Sequence, residues 1–105
     1  MERLITIYWR DIPAQVIGRR GRKSAVKKTL DSRFQHAIDR AAMRAGRASS
    51  KEYLEDWRRV SQPCGPDLEQ EVADEVARLE TRFPPEVLTR VIRAKGRVEG
   101  EAKSE

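Results

Sequence analysis

The spacing of apolar residues along this chain changes close to residue 30. Residues 3–10 are rich in β-branched and aromatic side chains that alternate between two faces, which is the two-residue period of a β-strand. Beyond residue 30 the apolar residues recur every three or four positions, which is the period of an α-helix. A length of 105 residues corresponds to one domain. Strands followed by helices within one domain predict an α+β fold.

Two strands are predicted before residue 20, over residues 3–10 and 14–19. Because the connection between them is short and Pro13 disfavours helix at the residue before it, the two strands are expected to form an antiparallel hairpin. Gly18 loosens the backbone beside a cluster of basic residues, which we expect at the end of a strand or on a loop. Residues 57–61 are predicted to form a third strand, with continuation of a preceding helix as the alternative.

Three amphipathic helices are predicted after the first two strands. The first spans residues 32–45, with Asp31 as its N-cap and Gly46 as its stop. Its apolar stripe also allows an earlier start at Ser24. The other two helices are predicted over residues 68–83 and from residue 85 to about residue 96.

The resulting architecture is a small two- or three-stranded sheet covered on one face by three helices. Ser49 and Glu52 have the spacing of a capping box, which predicts a short additional helical segment after the first helix. The folded domain is expected to cover residues 3–95. Residues 97–105 contain few apolar side chains and are expected to form a disordered tail.

The basic residues are unevenly distributed along the chain. The net charge is +5, from 22 Lys and Arg against 17 Asp and Glu. Residues 1–30 hold eight basic and two acidic residues, and residues 31–105 hold fourteen and fifteen, so the first segment carries +6 and the remainder −1. A local positive charge favours an acidic partner. Tryptophan and arginine are frequent at binding hot spots, so Arg58 beside Trp57 is added to the cluster. The predicted partner-binding residues are Arg10, Arg19, Arg20, Arg22, Lys23, Lys27, Lys28 and Arg58.

The small number of cysteines and histidines excludes several chemistries. A single cysteine, Cys64, cannot form an intramolecular disulfide, and with one histidine, His36, no zinc site of the usual composition can be built within one chain. Neither residue has a recognisable catalytic partner in the sequence, so both are interpreted as structural or solvent-exposed. The chain has no nucleophile elbow and no phosphate-binding loop. We therefore expect a protein that is not an enzyme, and the residues themselves identify no cofactor.

The hydrophobic pattern also bears on location. The longest apolar stretch near the N-terminus, residues 4–9, is far shorter than the ~18 residues that span a bilayer and lacks the features of a signal peptide. We expect no membrane partner and a cytoplasmic location. The sequence leaves the oligomeric state open.

Four segments of the chain have a recognisable pattern: Tyr8-Trp-Arg-Asp-Ile-Pro-Ala-Gln-Val16, the basic stretch over residues 19–28, Phe34-Gln-His-Ala-Ile-Asp-Arg-Ala-Ala-Met-Arg-Ala-Gly46, and Tyr53-Leu-Glu-Asp-Trp-Arg58. Together they resemble the small bacterial virulence factor domain, over residues 3–95. The same domain forms the middle part of conserved virulence factor C. The family has no assigned catalytic residues, and its stand-alone members tend to be encoded beside corrinoid and tetrahydrofolate methyl-transfer proteins.

Three functions are compatible with these observations. We favour a non-catalytic module that docks an acidic protein partner through the basic N-terminal region, which the family resemblance would connect, as an accessory, with corrinoid or one-carbon methyl transfer. The alternative is a nucleic-acid-binding regulator that uses the same basic residues on phosphates, although no common nucleic-acid-binding motif accompanies the charge. A corrinoid- or folate-handling subunit would need a ligand pocket, which periodicity cannot reveal.

Overall fold

The structure, a computed structural model, describes residues 2–22, 24–47 and 49–98. The predicted α+β class is confirmed, but within these ranges the sheet has four strands instead of two or three and there are four helices instead of three. Of the predicted disordered tail, residues 99–105 lie outside the described residues. The elements in chain order are β1 (Glu2–Trp9), β2 (Ile12–Arg20), β3 (Ser24–Thr29), α1 (Ser32–Arg44), α2 (Ser50–Glu55), β4 (Trp57–Pro63), α3 (Leu68–Arg82) and α4 (Pro85–Arg93).

The sheet is antiparallel throughout and has the strand order β3-β2-β1-β4. β1 lies in its interior between β2 and β4, which suits a run rich in β-branched and aromatic residues. The strand predicted over residues 57–61 is confirmed as β4, which pairs with β1 from Trp57 opposite Trp9 to Pro63 opposite Arg3. β3 and β4 are therefore the two edge strands.

β3 corrects the sequence-based interpretation of residues 24–29. The four-residue spacing from Val26 to Phe34 is compatible with a helix, and it allowed a helical start at Ser24. In the structure, Gly21 has a φ of +61° in the turn after β2, and the chain returns to pair with β2. A glycine adopts this conformation without steric cost, and the pairing satisfies backbone groups along both strands. The helix begins only at Ser32.

The turn of the first hairpin is tighter than predicted. β2 begins at Ile12, so only Arg10 and Asp11 form the turn, and Arg10 has a φ of +55°. Pro13 therefore lies inside β2, opposite Tyr8, at the point where a β-bulge shifts the register. A bulge accommodates a residue that has no backbone N–H, which is why this proline does not interrupt the strand.

α1 has the caps that the sequence predicts. The Asp31 side chain accepts a hydrogen bond from the backbone N–H of Arg33 at 3.1 Å. After the helix, Gly46 has a φ of +71° and its N–H donates to the carbonyl of Met43 at 3.1 Å. The next N–H, that of Arg47, reaches back to the helix at 2.8 Å, so the helix ends in a Schellman motif.

The predicted short helix α2 is also present, and it covers the end of β1. Its N-cap, Ser49, makes no side-chain capping hydrogen bond. Tyr53 of this helix stacks on Trp9 with ring centroids 5.9 Å apart, and its carbonyl accepts a hydrogen bond from Trp9 Nε1 at 2.9 Å. Trp57 meets the Tyr53 ring edge-on at 5.7 Å. These three rings form an aromatic cluster at one end of the sheet.

The hydrophobic core lies between the sheet and the helices α1, α3 and α4. α3 packs across β2 and β3, and Gly18 permits this approach because a Cβ atom there would lie only 2.9 Å from Val72 Cγ2. Phe34 of α1 meets Phe83, the C-cap of α3, in an edge-to-face contact at 6.1 Å. The helices therefore pack against one face of β2 and β3.

Candidate binding surface on the open face of the sheet

The two faces of the sheet differ in what packs against them. Residues directly opposite each other on antiparallel strands share a face. Gly18 and its partner Leu4 lie on the face that packs against α3. One position along each strand, Ile5 and Ile17 are opposite each other and lie on the other face, as does Ile7. We call this second surface the open sheet face; its members are Arg3, Ile5, Ile7, Gln15, Ile17, Arg19, Lys27, Arg59 and Ser61.

Three isoleucines form the apolar centre of the open sheet face. Ile5 and Ile7 are half-buried, and Ile17 is 7% exposed. None of the three belongs to the hydrophobic core beneath the helices. We attribute the low exposure of Ile17 to the aliphatic stems of the long side chains around it, because lysine and arginine commonly lie over apolar surface in this way. Ile5 and Ile7 therefore keep apolar surface that the hydrophobic core does not use, whereas Ile17 is already covered.

Four cationic residues surround this apolar centre. Arg3 lies opposite Arg19, Lys27 lies opposite Ile17, and Arg59 lies opposite Ile7. The Arg3 guanidinium donates a hydrogen bond to Ser61 Oγ at 2.7 Å. Among the described residues none of the four cations forms a salt bridge with a carboxylate. The register also places no Asp or Glu of the four strands, as far as they are described, on this face.

This combination determines what the open sheet face can bind. An apolar centre with a cationic rim complements a surface whose apolar centre has an acidic rim. Base stacking would require an aromatic platform, and the centre consists of isoleucines. Trp57, which lines a depression with Ile7 and Gln15 at the end of this face, is half-buried and packs edge-on against Tyr53. The geometry therefore suits an acidic protein surface better than single-stranded nucleic acid.

The predicted partner-binding residues are distributed over several parts of the molecule. Arg19 and Lys27 lie together on the open sheet face. Arg22 is exposed in the turn between β2 and β3, and Lys28 is exposed on the opposite face of β3. Lys23 lies outside the described residues. Partner binding by these residues stays a prediction, and only Arg19 and Lys27 among them lie on the open sheet face.

The remaining three predicted residues bind within the molecule. The Arg10 guanidinium donates to Asp56 Oδ2 at 3.2 Å and to the Lys95 carbonyl at 2.8 Å, and its side chain is only 14% exposed. Arg20 donates to the Glu2 carboxylate at 2.8 Å, and it also bonds the carbonyl of Pro66. These two arginines join the ends of strands to later parts of the chain.

Arg58 has a similar internal role. Its Nε donates to the backbone carbonyl of Arg10 at 2.9 Å, and its guanidinium lies over the Tyr8 ring at 4.6 Å. A weaker contact of 3.4 Å reaches Asp11. Arg58 therefore packs against the helix side of the sheet edge, whereas its neighbour Arg59 lies on the open sheet face.

Sequence reasoning missed most of the open sheet face. Arg3, Arg59 and the three isoleucines were not among the predicted binding residues. The signal that could have found them is the hairpin register, because pairing Arg3 with Arg19 places the alternating isoleucines between them on the same side. A count of charge along the chain does not contain this information.

The single cysteine and the single histidine have different surroundings in the structure. Burial raises the pKa of the Cys64 thiol, and the carboxylates of Glu71 and Glu2 raise it further, so the reactive thiolate is disfavoured. His36 is exposed on α1. Across the described ranges no cluster of three or more His, Cys, Asp or Glu side chains has an arrangement that would hold a metal ion. In the same part of the chain, every helix is too short or too polar to cross a membrane.

Comparison with known proteins agrees with the resemblance seen in the sequence. A family model described as "Virulence factor" matches residues 7–92, which is most of the chain. The chain therefore belongs to the virulence factor family. No curated protein and no solved structure matches it with significant similarity.

Proposed function

We propose that this member of the virulence factor family is a non-catalytic interaction module whose open sheet face binds an acidic protein partner. One observation carries the proposal: Ile5 and Ile7, which are half-buried and outside the core cluster, lie among four cations on a face where the described strands place no carboxylate. A face without a partner would not be expected to combine surplus apolar surface with charge of a single sign.

The two kinds of side chain contribute differently to such an interface. Burial of apolar area stabilises a complex by roughly 25 cal/mol per Å² removed from water, less the cost of association. Exposed ion pairs contribute only about 0–1 kcal/mol each. The accessible parts of Ile5 and Ile7 therefore supply most of the affinity. Arg3, Arg19, Lys27 and Arg59 select an acidic partner and accelerate the encounter.

The proposal changes the surface that the sequence suggested. The predicted region reached from Arg10 to Lys28, whereas the open sheet face keeps only Arg19 and Lys27 from it and adds residues of β1 and β4. The first partners to examine are protein components of corrinoid and one-carbon methyl transfer in the cytoplasm. That choice rests on the family resemblance and not on the geometry.

A pair of matched double variants tests the proposal. Arg19→Glu/Lys27→Glu reverses two charges on the open sheet face, and Arg22→Glu/Lys28→Glu makes the same change in charge nearby but off this face. A partner recovered by the wild-type chain from native extract is identified, purified and titrated by calorimetry. We expect the first variant to bind at least about tenfold more weakly and the second to stay within about twofold.

The result has a clear contrary outcome. If both double variants weaken the complex equally, the effect is one of net charge and the open sheet face is not the interface. Failure to recover any protein at low salt would also contradict the proposal. Thermal unfolding of each variant, followed by circular dichroism, verifies that the fold has been retained.

The described strands place no carboxylate on this face, which also supports a second candidate, nucleic-acid binding. Each phosphate neutralised by a cation releases counterions, so affinity for DNA or RNA must fall steeply as salt rises. Titration of the wild-type chain with labelled DNA and RNA at two salt concentrations tests this. Saturable, salt-sensitive binding that Arg19→Glu/Lys27→Glu abolishes would favour nucleic acid over an acidic protein, and no binding at low salt would remove this candidate.

A further inference from the structure

A second cationic surface lies between the helices α1 and α4. A groove of about 530 Å³ is lined by Arg40, Met43 and Arg44 from α1 and by Thr89, Ile92 and Arg93 from α4. No lining residue is acidic. Within the described ranges, none of its three arginines forms a salt bridge. We call this surface the α1–α4 groove.

Met43 and Ile92 give the α1–α4 groove an accessible apolar lining. Met43 is 70% exposed, the highest value among the exposed large hydrophobic residues of the described chain, and Ile92 is half-buried beside it. Arg40 and Arg44 are one helical turn apart and therefore lie on the same side of α1. Basic residues in the last turn of a helix stabilise its dipole, which accounts for Arg44 and Arg93. That effect explains neither Arg40, in the middle of its helix, nor the exposed methionine.

The groove extends further along the two helices. A smaller adjoining depression shares Arg40, Thr89 and Ile92 with it and continues past His36 to Arg33. Its lining also contains no Asp or Glu. From Arg33 to Arg44 an α-helix advances roughly 16 Å at about 1.5 Å per residue, which is three turns. The surface is thus long enough to accommodate a short helix.

We propose that the α1–α4 groove docks an acidic amphipathic helix of a partner protein. Two packed helices present a furrow in which the side-chain ridge of a third helix fits. Apolar residues of the partner would contact Met43 and Ile92, and methionine adapts readily to different partner side chains. Carboxylates flanking that apolar stripe would face Arg40, Arg44 and Arg93. The groove shares no residue with the open sheet face, so it is an independent second docking site.

The experiment uses a designed probe and the full chain. The probe is a fluorescein-labelled amphipathic peptide of ~15 residues, with leucines on one helical face and glutamates on both sides of them. A second peptide has lysine in place of every glutamate. Fluorescence anisotropy is expected to show saturable binding of the glutamate peptide and none of the lysine peptide.

Variants locate the binding site of the probe. Arg40→Glu/Arg44→Glu is expected to weaken binding at least about tenfold, and Met43→Gln, which leaves the charge unchanged, several-fold. The charge-matched double variant Arg19→Glu/Lys27→Glu on the open sheet face should stay within about twofold. NMR chemical-shift changes in the wild-type protein should be confined to α1 and α4.

Several outcomes would overturn this inference. They are the absence of saturable binding, an equal loss in both charge-reversed variants, or no effect of Met43→Gln. Tighter binding of duplex DNA than of the peptide, lost in Arg40→Glu/Arg44→Glu, would assign the groove to nucleic acid instead. The two sites are tested with different ligands and different variants. If the peptide does not bind the α1–α4 groove, the proposed function of the open sheet face still stands. If the open sheet face binds no partner, the inference about the α1–α4 groove still stands.

Discussion

The two faces of the sheet are built from the same strands but differ in almost every property. Leu4 and Val16 are nearly inaccessible and lie on the face that packs against α3. One position along each strand, Ile5 and Ile17 lie on the opposite face, which has a cationic rim and does not pack against α3. The strands therefore contain more apolar surface than the fold requires. That surplus is what a partner can use.

The same division separates the arginines. Arg10 donates hydrogen bonds to Asp56 and to the carbonyl of Lys95, so its guanidinium is largely occupied by contacts within the molecule. Arg59 is exposed on the open sheet face and pairs with no carboxylate among the described residues. A charge counted along the sequence is thus an upper bound on the charge available to a partner. Which cations are available to a partner depends on where they lie in the structure and not on how many the sequence contains.

The largest expected effect comes from adjacent residues on opposite faces. Leu4→Ala should destabilise the fold by about 3 kcal/mol, because it removes buried methyl groups and leaves a cavity beneath the helices. Ile5→Ala removes apolar atoms that the core does not contact, and should cost less than about 1 kcal/mol. Urea unfolding of both variants measures the difference. Equal losses would mean that the open sheet face is part of the core, and the comparison of the two faces would fail.

A smaller effect is expected where α3 approaches the sheet. Gly18→Ala places a Cβ atom 2.9 Å from Val72 Cγ2, within a packed layer that has to move, and should cost about 2 kcal/mol. Gly65→Ala is the control, since its Cβ would meet only the flexible end of Glu71. Thermal unfolding should show a much larger decrease in Tm for Gly18→Ala. If the control is equally destabilised, close packing of α3 is not what requires glycine at position 18.

The smallest stability effect is expected at the internal ion pairs. Burial by itself would raise the pKa of Asp56, but hydrogen bonds from Arg10 and Arg47 hold that pKa below its ordinary value. The ionised carboxylate therefore stabilises the folded state above about pH 4, and this contribution is lost as pH falls through the lower pKa of the folded protein. Asp56→Asn should cost about 1 kcal/mol at neutral pH.

The pH dependence of stability distinguishes loss of the ionised Asp56 carboxylate from a general destabilisation of the fold. The difference in unfolding free energy between wild type and Asp56→Asn should be constant from about pH 8 to pH 5 and should shrink below about pH 4. Denaturant unfolding at a series of pH values measures it. A difference that stays constant down to pH 2 would show that the Asp56 carboxylate is not the group responsible.

Much of the fold could be predicted because it depends on local interactions. The Asp31 cap and the Gly46 stop were read correctly from residue type, since a cap needs only a side-chain acceptor and a positive φ suits glycine. β3 could not be predicted in the same way. Its residue Val26 continues the four-residue apolar spacing of α1, and only pairing with β2 makes this segment a strand.

The candidate sites were predicted less well than the fold. Arg19 and Lys27 were found because they lie in a basic segment, but Arg3 and Arg59 join them only through the register of β1 with its two neighbours. The arginines of the α1–α4 groove lie in the part of the chain with a net charge of −1, so a charge count conceals them. In both cases the site is assembled from residues that are distant in sequence.

By itself the sequence determined the class of the fold, the Asp31 cap and the Gly46 stop of α1, the single cysteine, and the concentration of positive charge before residue 30. Tertiary structure alone decided which of those charges lie on the open sheet face and which bind within the molecule. The physical reason is the two-residue period of a strand: neighbouring side chains point to opposite faces, so one basic segment is divided between the interior contacts and the open sheet face. Helix packing then created a second cationic surface from residues that no local pattern connects.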